Sequence, residues 1–558
     1  MIASQSITED VSIDRLMTHV QTLAQWVRVS GSAEEREAFA YLEAQLASFG
    51  YAVTRYESDA LIGMPGEARL TIVGADGSER EIAANGYAFG GVSPDDGVVG
   101  EIVYAGTGLG ADIANVDVIG RIVITDGIAM PDKVRSVQLA GAIGLITIND
   151  DHFHEMCVSP VWGTPTPETA ALLPTLPSLS VLRADGVALK EAVAQGTVTA
   201  RIVTTPTLVE GTLPTLIGEL PAGKAIDDTF VLFSGHSDVW HHGAMDNGTA
   251  NATQLEVARL LAARKDDLRR GVRIAFWSGH SQARYGGSAW YADTFWHELH
   301  ERCVCHVNID SVGAIGATEL TGSGTMAETH AFGAEAIAAI SGQELGYSRM
   351  SRSSDQSFWG HGIPSLFAAL SQQGGDAGKD GFGLGWWWHT TEDELDKIEP
   401  EYFARDTKIF ALALWELATR EKLPFDYTAV THELDAALAG YAEAASGAFD
   451  LRGTQALVAE LAGALGSLDA DALDGATFNR LTMALGRTLI PVNYTYAGPF
   501  DQDLALSTVP LPGLREIRQL PTLTGREAMF LRTKLVRERN RIEHALRTAI
   551  ALVRDAQA

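Results

Sequence analysis

The sequence predicts an α/β fold in which a mixed, largely parallel sheet lies between helices. Short apolar runs of the buried-strand type (FVLFSG, RIAFWSG, CHVNID and SLFAAL) alternate with helical stretches between about residues 210 and 424. Polar residues of metal-binding types follow several of these runs. Binding sites in open α/β sheets lie at the carboxyl ends of the strands, so these residues are expected to converge.

The composition and the predicted secondary structure change along the chain. Its 558 residues are enough for two or three domains. Residues 12–49 predict two amphipathic helices, the second capped at SAEERE, and a strand follows at 51–57. Short strands separated by Gly, Asp and Pro come next, and the end of the chain is helical and rich in Ala and Leu. We therefore divide the chain into a central α/β domain (1–63 and 210–424), a β-rich insert (64–209) and a helical domain (425–558).

The stretch FVLFSGHSDVWHHGAMDNGTA, residues 230–250, is a buried-type strand that runs into metal-binding side chains. His236 and Asp238 are two apart on extended chain, so both project from the same side. One of them would bind a divalent cation, and the other would hold the imidazole in place. Asp246 follows in a glycine-rich loop just before a helical stretch, 249–263.

Two further candidate ligands recur at similar places. Asp310 ends the strand-like CVCHVNID, and His389 opens HTTEDELDKI. A lone His-x-Asp is more often a surface or core pair than a ligand set. Four candidates at three strand or loop edges, however, favour a metal site.

These motifs resemble those of a known family. GHSDVW…GAMDNG, AFWSGHSQARYGGS, NIDSVG and WHTTEDELDKI are similar, in order and approximate spacing, to the co-catalytic zinc aminopeptidases. The glutamate carboxypeptidase and transferrin receptor branch is the most similar, over nearly the whole chain. The resemblance implies a zinc-aminopeptidase-like fold with a protease-associated insert and a helical domain that forms dimers.

The resemblance also assigns roles to individual residues. His236, Asp246 and Asp310 match the ligands of one metal, and Asp246 and His389 match two of the three protein ligands of the other. Asp238 matches the carboxylate that orients the imidazole. The peptide bond after Asp246 is expected to be cis, as in relatives.

One departure from the family pattern matters for function. The family has a Glu-Glu pair, general base first and ligand second, where this chain has His280 and Ser281. A hydroxyl is a poor ligand, so the second metal position is weak, empty, or completed by His280, His241 or His242. A one-metal enzyme, a rearranged two-metal enzyme and an inactive protein that kept the fold are the alternatives. We favour an active enzyme, because the other five matched residues are all present.

Several neighbouring residues are candidates for chemistry or binding. His280 is interpreted as a general base that takes a proton from water activated by the metal. Arg284 and Tyr285 would bind a substrate carboxylate or oxyanion, or be structural. Trp388, directly before His389, would form a wall of the pocket.

A less informative segment, SSDQ at residues 353–356, is interpreted as a helix cap that includes Asp355.

Composition limits the partners. The chain has 42 basic and 71 acidic residues, a net charge of −29, which argues against nucleic acid or an anionic membrane as a partner. Three cysteines cannot form a disulfide framework. The first residues lack a basic segment followed by an apolar core, and no apolar run reaches transmembrane length, so we expect a cytoplasmic protein.

The sequence thus predicts a metal-dependent hydrolase that cleaves an amide or peptide C–N bond of a small molecule or short peptide. Zinc is the expected ion, at one or two per chain, with manganese, nickel or iron as alternatives. A homodimer is expected. Two other functions stay open: a specialised aminohydrolase or lyase at the same site, and a silent binding protein of the transferrin-receptor type.

Overall fold

Two β-sheets organise the chain in the computed structural model, which describes residues 7–74, 76–377 and 382–557. The strands are β1 (Ala52–Met64), β2 (Ala68–Val73), β3 (Glu79–Ile82), β4 (Asn85–Gly86), β5 (Val98–Tyr104), β6 (Ile122–Asp126), β7 (Gly144–Ile148), β8 (Ser178–Val181), β9 (Thr199–Thr204), β10 (Thr207–Leu220), β11 (Phe230–His236), β12 (Gly271–Trp277), β13 (Cys303–Asn308) and β14 (Ser365–Leu366).

The helices are α1 (Ile13–Leu23), α2 (Ala33–Ser48), α3 (Gly110–Ala114), α4 (Pro131–Leu139), α5 (Arg183–Gln195), α6 (Ala250–Ala262), α7 (Gly286–Thr294), α8 (Trp296–Arg302), α9 (Ala327–Ser341), α10 (Pro400–Thr419), α11 (Tyr427–Ala445), α12 (Arg452–Gly466), α13 (Gly475–Tyr494) and α14 (Gly525–Gln557). No helix in the described part of the chain is both long and apolar enough to cross a bilayer.

The first sheet confirms the predicted mixed α/β fold. Its strand order is β1-β10-β12-β11-β13-β14. The pairings β1–β10 and β10–β12 are antiparallel, and β12–β11, β11–β13 and β13–β14 are parallel. Every residue of β11 and β13 is buried, as expected for strands covered by helices on both faces.

Helices cover both faces of this sheet because successive side chains of each strand point to opposite sides. Phe233 belongs to the core formed with α1, α2, α6 and α10, whereas Leu232 belongs to the core formed with α7 and α8. Buried residues of α11–α14, such as Leu434 and Leu546, join the first of these cores. The C-terminal helices are therefore packed onto the same core as the sheet.

The second sheet lies between β1 and β10 in the chain. Its order is β3-β2-β9-β5-β6-β7-β8-β4. Strands β1 and β10 pair along their whole length, from Ala52–Glu219 to Met64–Thr207, so the chain leaves and re-enters the first sheet at one place. This segment corresponds to the insert predicted over 64–209. Its assignment as a protease-associated domain, and the three-domain division, stay predictions.

Three local predictions are confirmed: the two helices near the start of the chain, the cap of the second helix, and one cis peptide bond. Two helices, α1 and α2, form where the amphipathic pattern predicted them, and the hydroxyl of Ser32 accepts a hydrogen bond from the backbone amide of Glu35 at 3.1 Å. The peptide bond between Asp246 and Asn247 is cis, as the resemblance implied.

Two local predictions are wrong. Only the first two residues of SLFAAL pair in the sheet as β14, because Phe367 adopts a left-handed conformation (φ 62°) that turns the chain away. The helix cap predicted at 353–356 does not form. Those residues lie in turns, and Ser354 and Asp355 both have positive φ, which does not continue into a helix.

Candidate metal centre

The parallel strands bring four predicted ligands to one edge of the first sheet. His236 ends β11, and Asp310 lies two residues beyond β13. The Nε2 atom of His236 is 3.3 Å from Oδ1 of Asp246 and 3.4 Å from Oδ1 of Asp310. The other oxygen of Asp246, Oδ2, is 3.1 Å from Nε2 of His389. Asp246 therefore links the two histidines, as a carboxylate shared between two metal positions would.

His280 joins this cluster from the end of β12. Its ring stacks on that of His236, with centroids 3.8 Å apart. Nitrogen or oxygen atoms of His236, His280 and Asp310 lie within 4.8 Å of one another, which is close enough to hold one cation. His280 is thus placed for either of its two predicted roles, ligand or proton acceptor.

The donor set fits a cation. Nε2 of His236 and Oδ1 of Asp246 are buried and have no hydrogen-bond partner among the described residues. Burial alone would lower the pKa of His236, but the carboxylates of Asp310 and Asp246 raise it well above its ordinary value. This concentration of negative charge around unsatisfied donor atoms is what a divalent ion with nitrogen and oxygen ligands needs.

Asp238 has a different role from the predicted one. Nδ1 of His236 donates to the main-chain carbonyl of Asp238 at 2.9 Å, whereas the nearest carboxylate oxygen is 3.9 Å away. The carboxylate instead accepts from the backbone amides of His280 (3.0 Å) and Ser281 (2.8 Å) and from the hydroxyl of Ser30 (3.0 Å). The main chain orients His236, and the carboxylate fixes the loop that carries His280.

Asp355 is a site residue that sequence reasoning missed. Its Oδ2 lies 2.8 Å from Nδ1 of His280, and its Oδ1 accepts a hydrogen bond from the hydroxyl of Ser288 at 2.6 Å. Burial would raise the pKa of Asp355, but His280 brings it below the ordinary value. The sequence offered only a lone acid in the polar run SRSSDQS, and its partner is 75 positions away.

Asp393 holds the glycine-rich loop by hydrogen bonds to its backbone, and sequence reasoning also missed it. Its carboxylate accepts from the backbone amides of Met245 and Asp246, both at 2.9 Å. Burial raises the pKa of Asp393 to about 7. Arg28, between α1 and α2, is fully buried and donates to the carbonyls of Ser237 at 2.9 Å and Gly243 at 3.1 Å.

The insert holds the loop that carries His389. Nδ1 of His389 donates to the carbonyl of Glu155 at 2.6 Å, and the amide of Glu155 donates to the carbonyl of His389 at 2.9 Å. Both ring nitrogens of the neighbouring His154 face acceptors, the carbonyl of Trp388 at 2.5 Å and the carboxylate of Asp150 at 2.8 Å. Residues of the second sheet's segment therefore orient a candidate ligand on the first.

The two extra histidines do not join the cluster. Nε2 of His241 is 3.8 Å from a carboxylate oxygen of Glu155, and Nδ1 of His242 donates to the carbonyl of Ala24 at 3.2 Å. Neither belongs to the group of ligand atoms around His236. That group does not contain Asp246 or His389 either, so the part of His241 and His242 in the second metal position stays a prediction.

A cavity of about 500 Å³ opens over the centre. His280, Ser281, Arg284 and Tyr285 line it on one side. Trp388 lines the other side and stacks on the ring of His389, 3.6 Å between centroids, as a wall of the pocket.

Comparisons with known proteins support this fold. Residues 215–414 match the profile of peptidase family M28. That segment contains His236, Asp246, His280, Asp310 and His389. Residues 215–414 accordingly resemble peptidase family M28, in agreement with the resemblance inferred from the motifs of the chain.

Curated relatives match parts of the chain. "Probable glutamate carboxypeptidase VP8" of Zea mays is 22% identical over 373 residues, which is 56% of this chain and 51% of that protein. "Aminopeptidase NAALADL1" of Mus musculus is 33% identical over 92 residues, 16% of this chain and 12% of that protein. This chain therefore spans about half of the length of the maize protein and a smaller part of the mouse protein.

Solved structures match more completely. The aminopeptidase from Aneurinibacillus sp. strain AM-1 is 25% identical, with a TM-score of 0.56 over 74% of this chain and 96% of that one. A peptidase M28 precursor from Shewanella amazonensis SB2B is 20% identical, with a TM-score of 0.59 over 76% and 97%. The zinc aminopeptidase of Bacillus subtilis is 20% identical, with a TM-score of 0.52 over 74% and 96%.

Proposed function

We propose that this protein is a metal-dependent hydrolase that cleaves a peptide-type C–N bond of a small molecule or short peptide. The observation that carries the proposal is the convergence of His236, Asp246, Asp310 and His389 within the segment that matches family M28. Zinc is the proposed ion, because it accepts imidazole and carboxylate ligands and the Bacillus subtilis protein of similar fold is a zinc aminopeptidase. The same donors also bind manganese, nickel or iron.

The residues of this chain divide the work as follows. A cation held by the four ligands would lower the pKa of water and polarise the substrate carbonyl. With Nδ1 of His280 donating to Asp355, the other ring nitrogen is left to take a proton, and the carboxylate stabilises the imidazolium that forms. The water oxygen bonds to the carbonyl carbon, the C–N bond breaks, and His280 returns the proton to the leaving nitrogen.

Metal analysis of the purified protein tests the proposal first. We expect about one or two tightly held ions per chain and amide hydrolysis that depends on them. A protein that carries no metal and turns over no amide would instead be a silent binding protein. Products other than those of hydrolysis would identify an aminohydrolase or lyase variant of the chemistry.

The role of His280 is tested separately. His280→Ala is expected to lower turnover by at least about 100-fold while the metal content stays the same. His297→Ala, on the exposed surface of α8, is the matched control and should change neither. Loss of metal in His280→Ala would make the histidine a ligand.

Two properties that the sequence suggested also stand as proposals. The first is a homodimer formed through residues 425–558, for which sedimentation should give about twice the chain mass of 59.6 kDa. The second is a cytoplasmic location, which fractionation of the source cells would test.

A further inference from the structure

One guanidinium in the cavity over the metal centre has no counter-charge. Arg284 is 9% exposed and lines the cavity beside His280 and Ser281. No carboxylate in the described part of the chain lies within ion-pair distance of it, and its Nε is buried without a hydrogen-bond partner there. The two other arginines that line the cavity have hydrogen-bond or ion-pair partners: Arg349 lies 2.7 Å from the carboxylate of Glu433, and Arg352 donates to the carbonyl of Gln356 at 3.0 Å.

The protein holds this arginine in place. The amide of Gly163, in the insert, donates to the carbonyl of Arg284 at 2.6 Å. Arg284 and Tyr285 both adopt left-handed conformations, with φ of 47° and 66°, which residues other than glycine rarely adopt. The Tyr285 ring stacks on Trp162 at 4.0 Å. Arg284 therefore belongs to a well-packed wall of the cavity, formed with Tyr285, and its backbone is held in place.

The wall places the guanidinium close to the reacting groups. Its carbon lies 4.7 Å from the centre of the Tyr285 ring, and the same ring meets His280 edge-on at 4.7 Å. One aromatic ring thus contacts both Arg284 and His280. A group on the substrate that contacts Arg284 would be near the bond on which His280 acts.

The charge at this wall also differs from that of the family pattern. Two glutamates of the pattern are replaced by His280 and Ser281, and Arg284 adds a positive charge three residues later. Asp246 and Asp310, which also line the cavity, are proposed ligands of the cation. Arg284 thus places a positive charge in the lining of the cavity, in a chain of net charge −29.

We infer that Arg284 binds a carboxylate of the substrate next to the scissile amide. A buried guanidinium is costly to leave unpaired, and its planar fork matches a carboxylate through two parallel hydrogen bonds. The substrate class is then a small N-acyl amino acid or a short peptide bound through its carboxylate, not one bound through a free N-terminal ammonium. This inference rests on the proposed hydrolase function, whose site it shares.

Binding of two probes to the metal-loaded protein tests the inference. N-acetylglycine carries the carboxylate, and N-acetylglycine amide lacks only that charge. Titration calorimetry should show the acid binding at least about 30-fold more tightly than the amide, the lower end of the loss expected when a buried charge pair is removed. Equal affinity of the wild-type protein for the two probes would overturn the inference without any variant.

Variants assign the preference to Arg284. Arg284→Met should bring the two affinities together, and Arg284→Lys, which keeps the charge but loses the fork, should restore part of the preference. Arg532→Met on the exposed face of α14 is the matched control and should keep all of it. An unchanged preference in a folded, metal-loaded Arg284→Met protein would show that Arg284 does not bind the carboxylate.

Titration with inorganic phosphate tests whether Arg284 binds a carboxylate or a phosphate group. Phosphate that binds the wild-type protein more tightly than N-acetylglycine, and does not bind Arg284→Met, would overturn the carboxylate assignment in favour of a phosphate group. Failure of the hydrolase proposal has a different signature. The metal-loaded protein would then bind N-acetylglycine more tightly than its amide, with Arg284 responsible for the difference. It would nevertheless hydrolyse neither N-acyl amino acids nor short peptides.

Discussion

Oδ2 of Asp355 lies 2.8 Å from Nδ1 of His280, and both groups are on turns outside the sheet. The pair is fixed from both sides. The hydroxyl of Ser288 donates to the other oxygen of Asp355, and the carboxylate of Asp238 accepts the backbone amide of His280. A histidine held in this way presents its remaining ring nitrogen in one orientation.

Asp355→Asn tests the pair. The amide keeps the shape of the side chain but cannot stabilise an imidazolium, so turnover should fall by about 100- to 10,000-fold while metal content is retained. Steady-state kinetics and metal analysis are the measurements, with the exposed Asp396→Asn as control. Activity close to that of the wild-type protein would remove proton transfer by His280 from the mechanism.

Metal removal is expected to destabilise the fold. Asp246 and Asp310 bring negative charge to one buried point, and a bound cation that the unfolded chain does not bind stabilises the protein by about 4 kcal/mol at a free concentration of 1,000 times Kd. Calorimetry of chelated and zinc-reloaded protein should show a higher unfolding temperature after reloading. Asp246→Asn should show a much smaller rise, and an equal rise would place the stabilising metal elsewhere.

The contact between the insert and His389 should control metal binding. His154→Ala removes the hydrogen bond to the carbonyl of Trp388, and loss of such outer support usually lowers metal affinity by about 10- to 100-fold. Competition with a chelator measures the affinity. His152→Ala is the control, because that ring stacks on Trp386 and belongs to the same segment. Unchanged affinity in His154→Ala would show that the loop around His389 is held by its other contacts.

Stability should depend on pH through Glu328, a buried acid of α9 that is not one of the candidate ligands. Burial raises its pKa to about 8, and neither carboxylate oxygen has a partner among the described residues. The folded state keeps the proton while the unfolded state loses it above about pH 4.5. Stability from this group is therefore lost as pH rises from about 4.5 to 8, by about 1.4 kcal/mol for each pH unit.

Glu328→Gln should remove this dependence. Thermal unfolding at pH 5 and pH 8.5 should show a smaller fall in midpoint for the variant than for the wild-type protein. Glu443→Gln, at an exposed position of α11, is the control, and its unfolding midpoint should fall as much as that of the wild-type protein. Parallel falls in all three proteins would mean that Glu328 ionises normally in the fold.

The sequence predicted the fold and the residues that cluster at the edge of the first sheet because their signals are local. A buried strand followed by His236, or a glycine-rich loop around Asp246, is visible within about twenty residues. Asp355 and Asp393 were missed because their partners are distant in the chain and a single acid in a polar run equally fits a turn. The carboxylate of Asp238 was given the wrong partner, since spacing alone does not distinguish its oxygens from its own backbone carbonyl.

The two hydrogen bonds between Glu155 and His389 have a consequence for protein engineering. A shortened version of this chain that omits the second sheet would lose the main-chain acceptor for the His389 ring together with the brace on Arg284 supplied by Gly163. Such a minimal domain could retain the first sheet and still lack an aligned metal ligand. Transplanting this centre into another scaffold therefore requires residues 150–163 to travel with it.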